Sequence, residues 1–76
     1  MSAKHQQAIK LARQDDWHGA HNLIQDDGDS LACQIHGYLH RVEGDLGNAA
    51  YWYRRAGIAM PDNSIEQELA RLAEIA

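Results

Sequence analysis

The chain is poor in the residues that define several protein classes, with one cysteine, one proline and seven Lys or Arg among 76 residues. The single cysteine, Cys33, cannot form a disulfide within the chain, which fits a reducing compartment and predicts a cytoplasmic protein. No run of about 18 apolar residues is present, so no membrane span is expected. The first residues also lack the apolar segment of a signal peptide.

Positive charge is scarce as well. Eleven Asp and Glu outnumber the basic residues and give a formal net charge of −4. Nucleic-acid-binding proteins usually concentrate Lys and Arg on one face, and the one adjacent pair here, Arg54-Arg55, is too small to follow a phosphate backbone. Nucleic acid is therefore not an expected partner. The hydrophobic fraction of 45% does permit a core, and the length allows one small soluble domain.

The apolar residues recur with the spacing of α-helices, and no segment alternates as a strand does. The clearest helix is predicted over Ser30 to Glu43, with one apolar face made of Leu31, Ile35, Tyr38, Leu39 and Val42. We expect Trp17 to anchor the first hairpin on this helix, and His5 and His18 to face solvent. Acidic turns at 14–16, 26–29 and 44–45 separate the helices. The first and third are expected to supply an N-cap for the helix that follows, and the acids of the second are expected to stabilise the next helix through its dipole. The prediction is an all-α fold of about five short antiparallel helices: 3–13, a second that carries Trp17 to Ile24, 30–43, 46–56, and a last helix that begins near a capping-box-like pair, Asn63 and Glu66.

Two stretches of the chain resemble each other. Residues 13–20 align with residues 42–49, because each has an acidic turn, a bulky apolar residue after the Asp and an Ala three positions further on. The small Ala allows two helices of a hairpin to approach closely. Helix–turn–helix units that repeat every roughly 34 residues are typical of helical repeat proteins.

The segment from Ser30 to Asn63 resembles one tetratricopeptide repeat unit, and residues 48–57 are also similar to the second helix of SEL-one-like repeats. The positions that carry the resemblance are Gly37, the Gly44-Asp45 turn, Ala49, Tyr53, Ala56 and Pro61. The resemblance implies one domain over 1–76, with a degenerate first hairpin at 3–26, a complete repeat unit at 30–61 and a capping helix at 63–76.

The resemblance also implies a function. Helical hairpin stacks of this family bind a protein or peptide on a concave surface, so we expect an interaction module with no cofactor. A second copy of the chain is a further possible partner, because a small stack leaves apolar ends uncovered. So small a stack has little room for a water-excluding active site, and no enzyme activity is expected. The residues expected at the partner surface are Ile9, Arg13, Gln34, Tyr38, Arg41 and Trp52.

Two histidines of the third helix depart from the repeat pattern, which has Leu and an aromatic residue at these places. At 100° per residue, His36 and His40 lie within about one quarter of the helix circumference together with Cys33 and Glu43. Histidines at i and i+4 can chelate one Zn²⁺ or similar ion, with Glu43 or Cys33 as a third ligand and His21 of the neighbouring helix as a fourth. The sequence favours a buried hydrogen-bonded network without metal, in which Tyr51, Tyr53, Glu43 or backbone carbonyls satisfy the imidazoles. A metal-binding protein is the alternative function.

Overall fold

The structure is a computed structural model that describes residues 3–76, and over this range it contains five α-helices and no strand. The helices are α1 (Ala3–Arg13), α2 (Trp17–Ile24), α3 (Ser30–Glu43), α4 (Leu46–Arg55) and α5 (Ile65–Ile75). The predicted all-α fold is confirmed, and the bounds of α1 and α3 are the predicted ones. Within the same residues, no helix is both long enough and apolar enough to cross a membrane.

The acidic turns determine where three helices begin. Asp16, Asp29 and Asp45 are the N-caps of α2, α3 and α4, and each side chain accepts a hydrogen bond from the backbone N–H three residues further on. This contact satisfies a backbone donor that has no partner within the helix. At the end of α3, Gly44 adopts the left-handed conformation with φ of 87°, which a glycine accommodates without strain. The predicted caps at 14–16 and 44–45 are confirmed, and at 26–29 the Asp29 side chain adds a cap to the expected effect of charge on the helix dipole.

The predicted cap of α5 is wrong. Ser64, not Asn63, is the N-cap, and it forms a capping box with Gln67 rather than with Glu66. The reason is that the Asn63 side chain already has partners in the interior, since it accepts a hydrogen bond from Arg41 and donates one to Glu68. Asn63 therefore ties the start of α5 to α3.

Helix α3 is the centre of the fold and contacts each of the other four helices. Residues 32–40 are all buried. Helices α1 and α2 form one hairpin, α3 and α4 form another, and α5 packs on α3 and α1. At Gly37, a Cβ atom would lie 2.7 Å from the Tyr53 ring and 3.1 Å from the Ala49 carbonyl oxygen, so the missing side chain allows α3 and α4 to approach closely.

The repeat assignment itself stays a prediction, as do the three segments 3–26, 30–61 and 63–76 within it. Two expectations about burial are wrong. Val42, expected on the buried face of α3, is 46% exposed because it borders an open hollow rather than a helix. His5, expected to face solvent, is half-buried and its Nε2 lies 2.8 Å from Oδ2 of Asp29.

A candidate metal site of three histidines

Three imidazole rings meet between α2 and α3, and we call His21, His36 and His40 the histidine cluster. His36 and His40 lie one turn apart on α3, and His21 comes from α2. The ring centres are 4.7 Å apart for His21 and His36, 4.9 Å for His36 and His40, and 5.6 Å for His21 and His40. One possible ligand atom of each ring lies within 4.8 Å of those of the other two.

Trp17 positions His21 within this cluster. Its indole N–H donates a hydrogen bond of 2.6 Å to the backbone carbonyl of Leu39, which anchors the first turn of α2 on α3. One helical turn further along α2, the His21 ring stacks on the Trp17 indole at 4.8 Å between centres and 10° between planes. Residues at i and i+4 share a helix face, so anchoring Trp17 also directs His21 towards α3. The predicted role of Trp17 as the anchor between the first hairpin and the third helix is confirmed.

Trp52 of α4 lies against the other side of the cluster. Its indole stacks on the His36 ring at 3.8 Å and 12°, and the Arg55 guanidinium lies 4.8 Å from the centre of the Trp52 ring. The indole is half-buried. Trp17 and Trp52 therefore flank the imidazoles with two large apolar rings, which reduces the water around them.

The hydrogen bonds of His40 indicate its tautomer. Nδ1 lies 2.5 Å from Oε1 of Glu43, and Nε2 lies 3.4 Å from the side-chain nitrogen of Asn48. A carboxylate only accepts, whereas an amide nitrogen only donates. The arrangement therefore assigns the proton of His40 to Nδ1 and leaves a lone pair on Nε2, the nitrogen that can bind a metal.

The surroundings of His36 and His21 disfavour protonation of these two rings. Burial lowers the pKa of His36 to about 4, and the neighbouring His21, His40 and Arg55 add to the effect. Burial and the nearby His40 also lower the pKa of His21. Neutral imidazole is the form that ligates a metal. His36 is only 4% exposed, and its Nδ1 has no hydrogen-bond partner among the described residues, which is uncommon for a buried nitrogen.

The structure brings together only part of the predicted metal set. His36 and His40 are in the cluster, and Glu43 contacts His40 from the opposite edge of its ring. Cys33 belongs to no potential metal-binding group within residues 3–76. Its Sγ lies 3.8 Å from the Gly28 carbonyl oxygen, and burial raises the pKa of its thiol. A helical projection gives the direction of a side chain from the helix axis but not its contacts, and the Cys33 thiol is engaged by a backbone carbonyl near the start of α3.

Of the six residues expected at a partner surface, three are buried, Arg41 and Trp52 are half-buried, and one is exposed. Ile9, Gln34 and Tyr38 are buried, and Arg41 is half-buried against the start of α5. Helix α5 covers this side of α3 in the present chain. Arg13 is exposed. Whether these residues bind a partner stays a prediction.

A second group of possible metal ligands is already engaged in ion pairs and in a helix cap. His5, Asp27 and Asp29 also bring one ligand atom each within 4.8 Å. However, Asp29 caps α3 and lies beside His5, and Asp27 forms a 3.1 Å ion pair with Lys4. Both carboxylates already have partners in Lys4, His5 and the backbone of α3, so this group fits a cation less well than the histidine cluster does.

A different polar group lies on the α5 side of α3, and we call Tyr53, Asn63, Glu68 and Arg71 the Glu68 cluster. Glu68 is fully buried. Its carboxylate accepts hydrogen bonds from the Tyr53 hydroxyl at 2.7 Å, from Asn63 at 2.9 Å and from two nitrogens of Arg71 at 2.8 Å each. Burial by itself would raise the pKa of Glu68, but these donors lower it to about 2. The cluster is thus a saturated ion pair.

Comparison of the chain with models of known protein families, with curated proteins and with solved structures finds no match. The function has to be inferred from the site itself.

Proposed function

We propose that this protein binds a transition-metal ion through His21, His36 and His40. The observation that carries the proposal is the convergence of three imidazoles from two helices, with ligand atoms within 4.8 Å of one another. The lowered pKa values of His21 and His36 support it, because they favour the ligating form near neutral pH.

The donor set defines the class of metal. Three neutral nitrogen ligands suit Zn²⁺, Cu²⁺, Ni²⁺ or Co²⁺, whereas Ca²⁺ and Mg²⁺ prefer oxygen ligands. In a tetrahedral zinc site with Zn–N bonds of about 2.0 to 2.1 Å, the nitrogens lie roughly 3.4 Å apart. The three ligand atoms, now within 4.8 Å, would have to approach by small side-chain rotations.

Glu43 has a supporting role in this proposal. A carboxylate that accepts the Nδ1 proton of a metal-binding histidine fixes its tautomer and makes the other nitrogen more basic. Glu43 has this relation to His40, with Oε1 2.5 Å from Nδ1. We expect Glu43→Gln to weaken metal binding by about 10-fold to 100-fold without removing a ligand.

Native mass spectrometry and calorimetric titration with Zn²⁺ test the proposal on protein that carries no polyhistidine tag. We expect one ion per chain and loss of that ion in His36→Leu. His18→Ala is the matched control, because His18 is exposed and lies on α2 outside the cluster. Absence of stoichiometric binding in the native chain, or equal loss of metal in the control, would contradict the proposal.

Binding of a protein or peptide is the second candidate, with another copy of the chain as the simplest partner. The observation that favours it is an apolar hollow of about 180 Å³, whose lining includes Trp17, Tyr38, Val42 and Ile65. Val42 is 46% exposed on its border. Sedimentation of the native chain and of Val42→Glu at high concentration tests self-association. A dimer that the substitution dissociates would support it, and a monomer at all concentrations would exclude self-association.

A further inference from the structure

We infer that the metal-loaded histidine cluster binds a small monodentate anion as a fourth ligand. This inference rests on the proposed function and extends it to the class of molecule that the site takes up. Three observations lead to it: the number of donors, the charge around them and the exposure of the cluster's outer edge.

The described residues offer three donors to one ion, and structural zinc sites usually have four. Glu43 and Asp45 form a group with His40 but not with His21 or His36. Glu43 binds the Nδ1 edge of His40, so a metal on Nε2 would lie on the far side of the ring. Cys33 is turned to the Gly28 carbonyl. An open fourth position is typical of sites that exchange a ligand.

The charge balance favours an anion at that position. Three neutral imidazoles leave the charge of a divalent ion uncompensated, and two of the rings are nearly buried, with His36 4% and His40 6% exposed. An uncompensated charge is costly in such surroundings. Arg55 acts electrostatically on His36 with positive sign, so it adds to the attraction for an anion.

The cluster can be approached from outside at its outer edge. His21, Trp17 and Trp52 are half-buried rather than buried. Asn48 is also half-buried, and its amide nitrogen lies 3.4 Å from Nε2 of His40. The Asn48 amide N–H, beside the metal-binding Nε2, is placed to donate a hydrogen bond to an anion bound at the fourth position. The anion would then contact both the metal ion and this amide.

Asn48 also provides a specific test. It is the third residue of α4 after the Asp45 cap, where a negative charge suits the helix dipole, so Asn48→Asp is compatible with the fold. The new carboxylate would lie beside the metal and act as an internal anion. We expect Asn48→Asp to retain the metal and to lose its response to external anions, whereas Asn48→Ala keeps a weaker response.

The experiment follows the visible spectrum of the Co²⁺-loaded protein during separate titrations with azide and with acetate. We expect a saturable change with one anion per ion, absent in Asn48→Asp at concentrations that saturate the native chain. A response to azide alone would assign the site to inorganic anions, and a response to acetate alone would assign it to carboxylates. Bound Co²⁺ whose spectrum changes with neither anion would overturn this inference alone, whereas a chain that binds no Co²⁺ would overturn the proposed function with it.

Discussion

Helix α3 has a polar cluster on each of two sides, and the two differ in how far their atoms are satisfied. In the Glu68 cluster, both carboxylate oxygens accept hydrogen bonds from side chains of Tyr53, Asn63 and Arg71. In the histidine cluster, Nδ1 of the buried His36 has no hydrogen-bond partner within the described part of the chain. The rings there contact other rings instead.

The difference separates a structural role from a binding role. A saturated buried ion pair has nothing left to offer a ligand, and its loss exposes unpaired groups, so it holds α5 on the fold. Neighbouring imidazoles, one of which has a buried nitrogen without a hydrogen-bond partner among the described residues, add little to stability but have the capacity to bind a cation. Both clusters are polar and largely buried. They differ in how many of their polar atoms have a hydrogen-bond partner.

The largest effect is expected when the saturated cluster is broken. Glu68→Ala removes the acceptor of the Tyr53 hydroxyl and of the Asn63 amide and, within residues 3–76, leaves Arg71 with only its hydrogen bond to Gln34. We expect it to reduce the free energy of unfolding by about 3 kcal/mol or more. Urea denaturation followed by circular dichroism measures this change. Glu74→Ala is the control, since Glu74 is exposed on the same helix, and it should change the free energy by less than about 0.5 kcal/mol. Equal effects of the two substitutions would contradict the structural role of Glu68.

The two clusters should also respond to acid in different pH windows. The folded pKa of His36 is about 4 against an ordinary 6.5, so between these values the unfolded chain binds a proton that the folded chain does not, and stability falls as the pH is lowered. The folded pKa of Glu68 is about 2 against an ordinary 4.5, so its stabilisation is complete above pH 4.5 and is lost as the pH falls towards 2.

Unfolding of the metal-free protein at a series of pH values tests this separation. His36→Leu should flatten the dependence between pH 6.5 and 4 and leave the lower window unchanged. Glu68→Gln should flatten the window between pH 4.5 and 2. If stability still depends on pH between 6.5 and 4 as steeply in His36→Leu as in the native chain, the buried neutral histidine is not the cause of that dependence.

The smallest effect is expected for the stability of the metal-free chain when the histidine cluster is altered. His36→Leu replaces a buried ring that has an unsatisfied nitrogen with an apolar side chain of similar size. We expect the free energy of unfolding at pH 7 to change by less than about 1.5 kcal/mol, in either direction. The same urea titration measures it. A loss as large as that of Glu68→Ala would mean that the histidines are a structural network after all.

Local signals in the sequence were sufficient to predict the helices. Apolar spacing and the caps Asp16, Asp29 and Asp45 act within a few residues, and they define the helix starts that the structure shows. The cap of α5 was mispredicted because Asn63 is engaged by Arg41 of α3, a contact between distant segments. Glu68 was missed altogether, since an acidic residue on an amphipathic helix resembles a surface residue until its buried partners are known.

The histidine cluster was predictable only in part, for the same reason. His36 and His40 share one helix, so their spacing reveals them. The sequence predicts His21 only as a possible fourth ligand, because the position of its ring depends on how α2 packs on α3. The Trp17–His21 spacing of four, equal to that of His36 and His40, is the signal that could have strengthened this prediction. The position of Asn48 beside His40 depends on the packing of α4 on α3, and no pattern in the sequence predicts it.

The most direct measurement is a long-range ¹⁵N–¹H correlation spectrum of the imidazole nitrogens before and after one equivalent of Zn²⁺. Each histidine reports on its own nitrogens, so the spectrum identifies the ligands by residue. We expect one nitrogen each of His21, His36 and His40 to change to the metal-bound form, with Nε2 as the nitrogen of His40, while His5 and His18 stay unchanged. Zinc that alters none of the three cluster rings, or that alters His5 in their place, would contradict the proposed site.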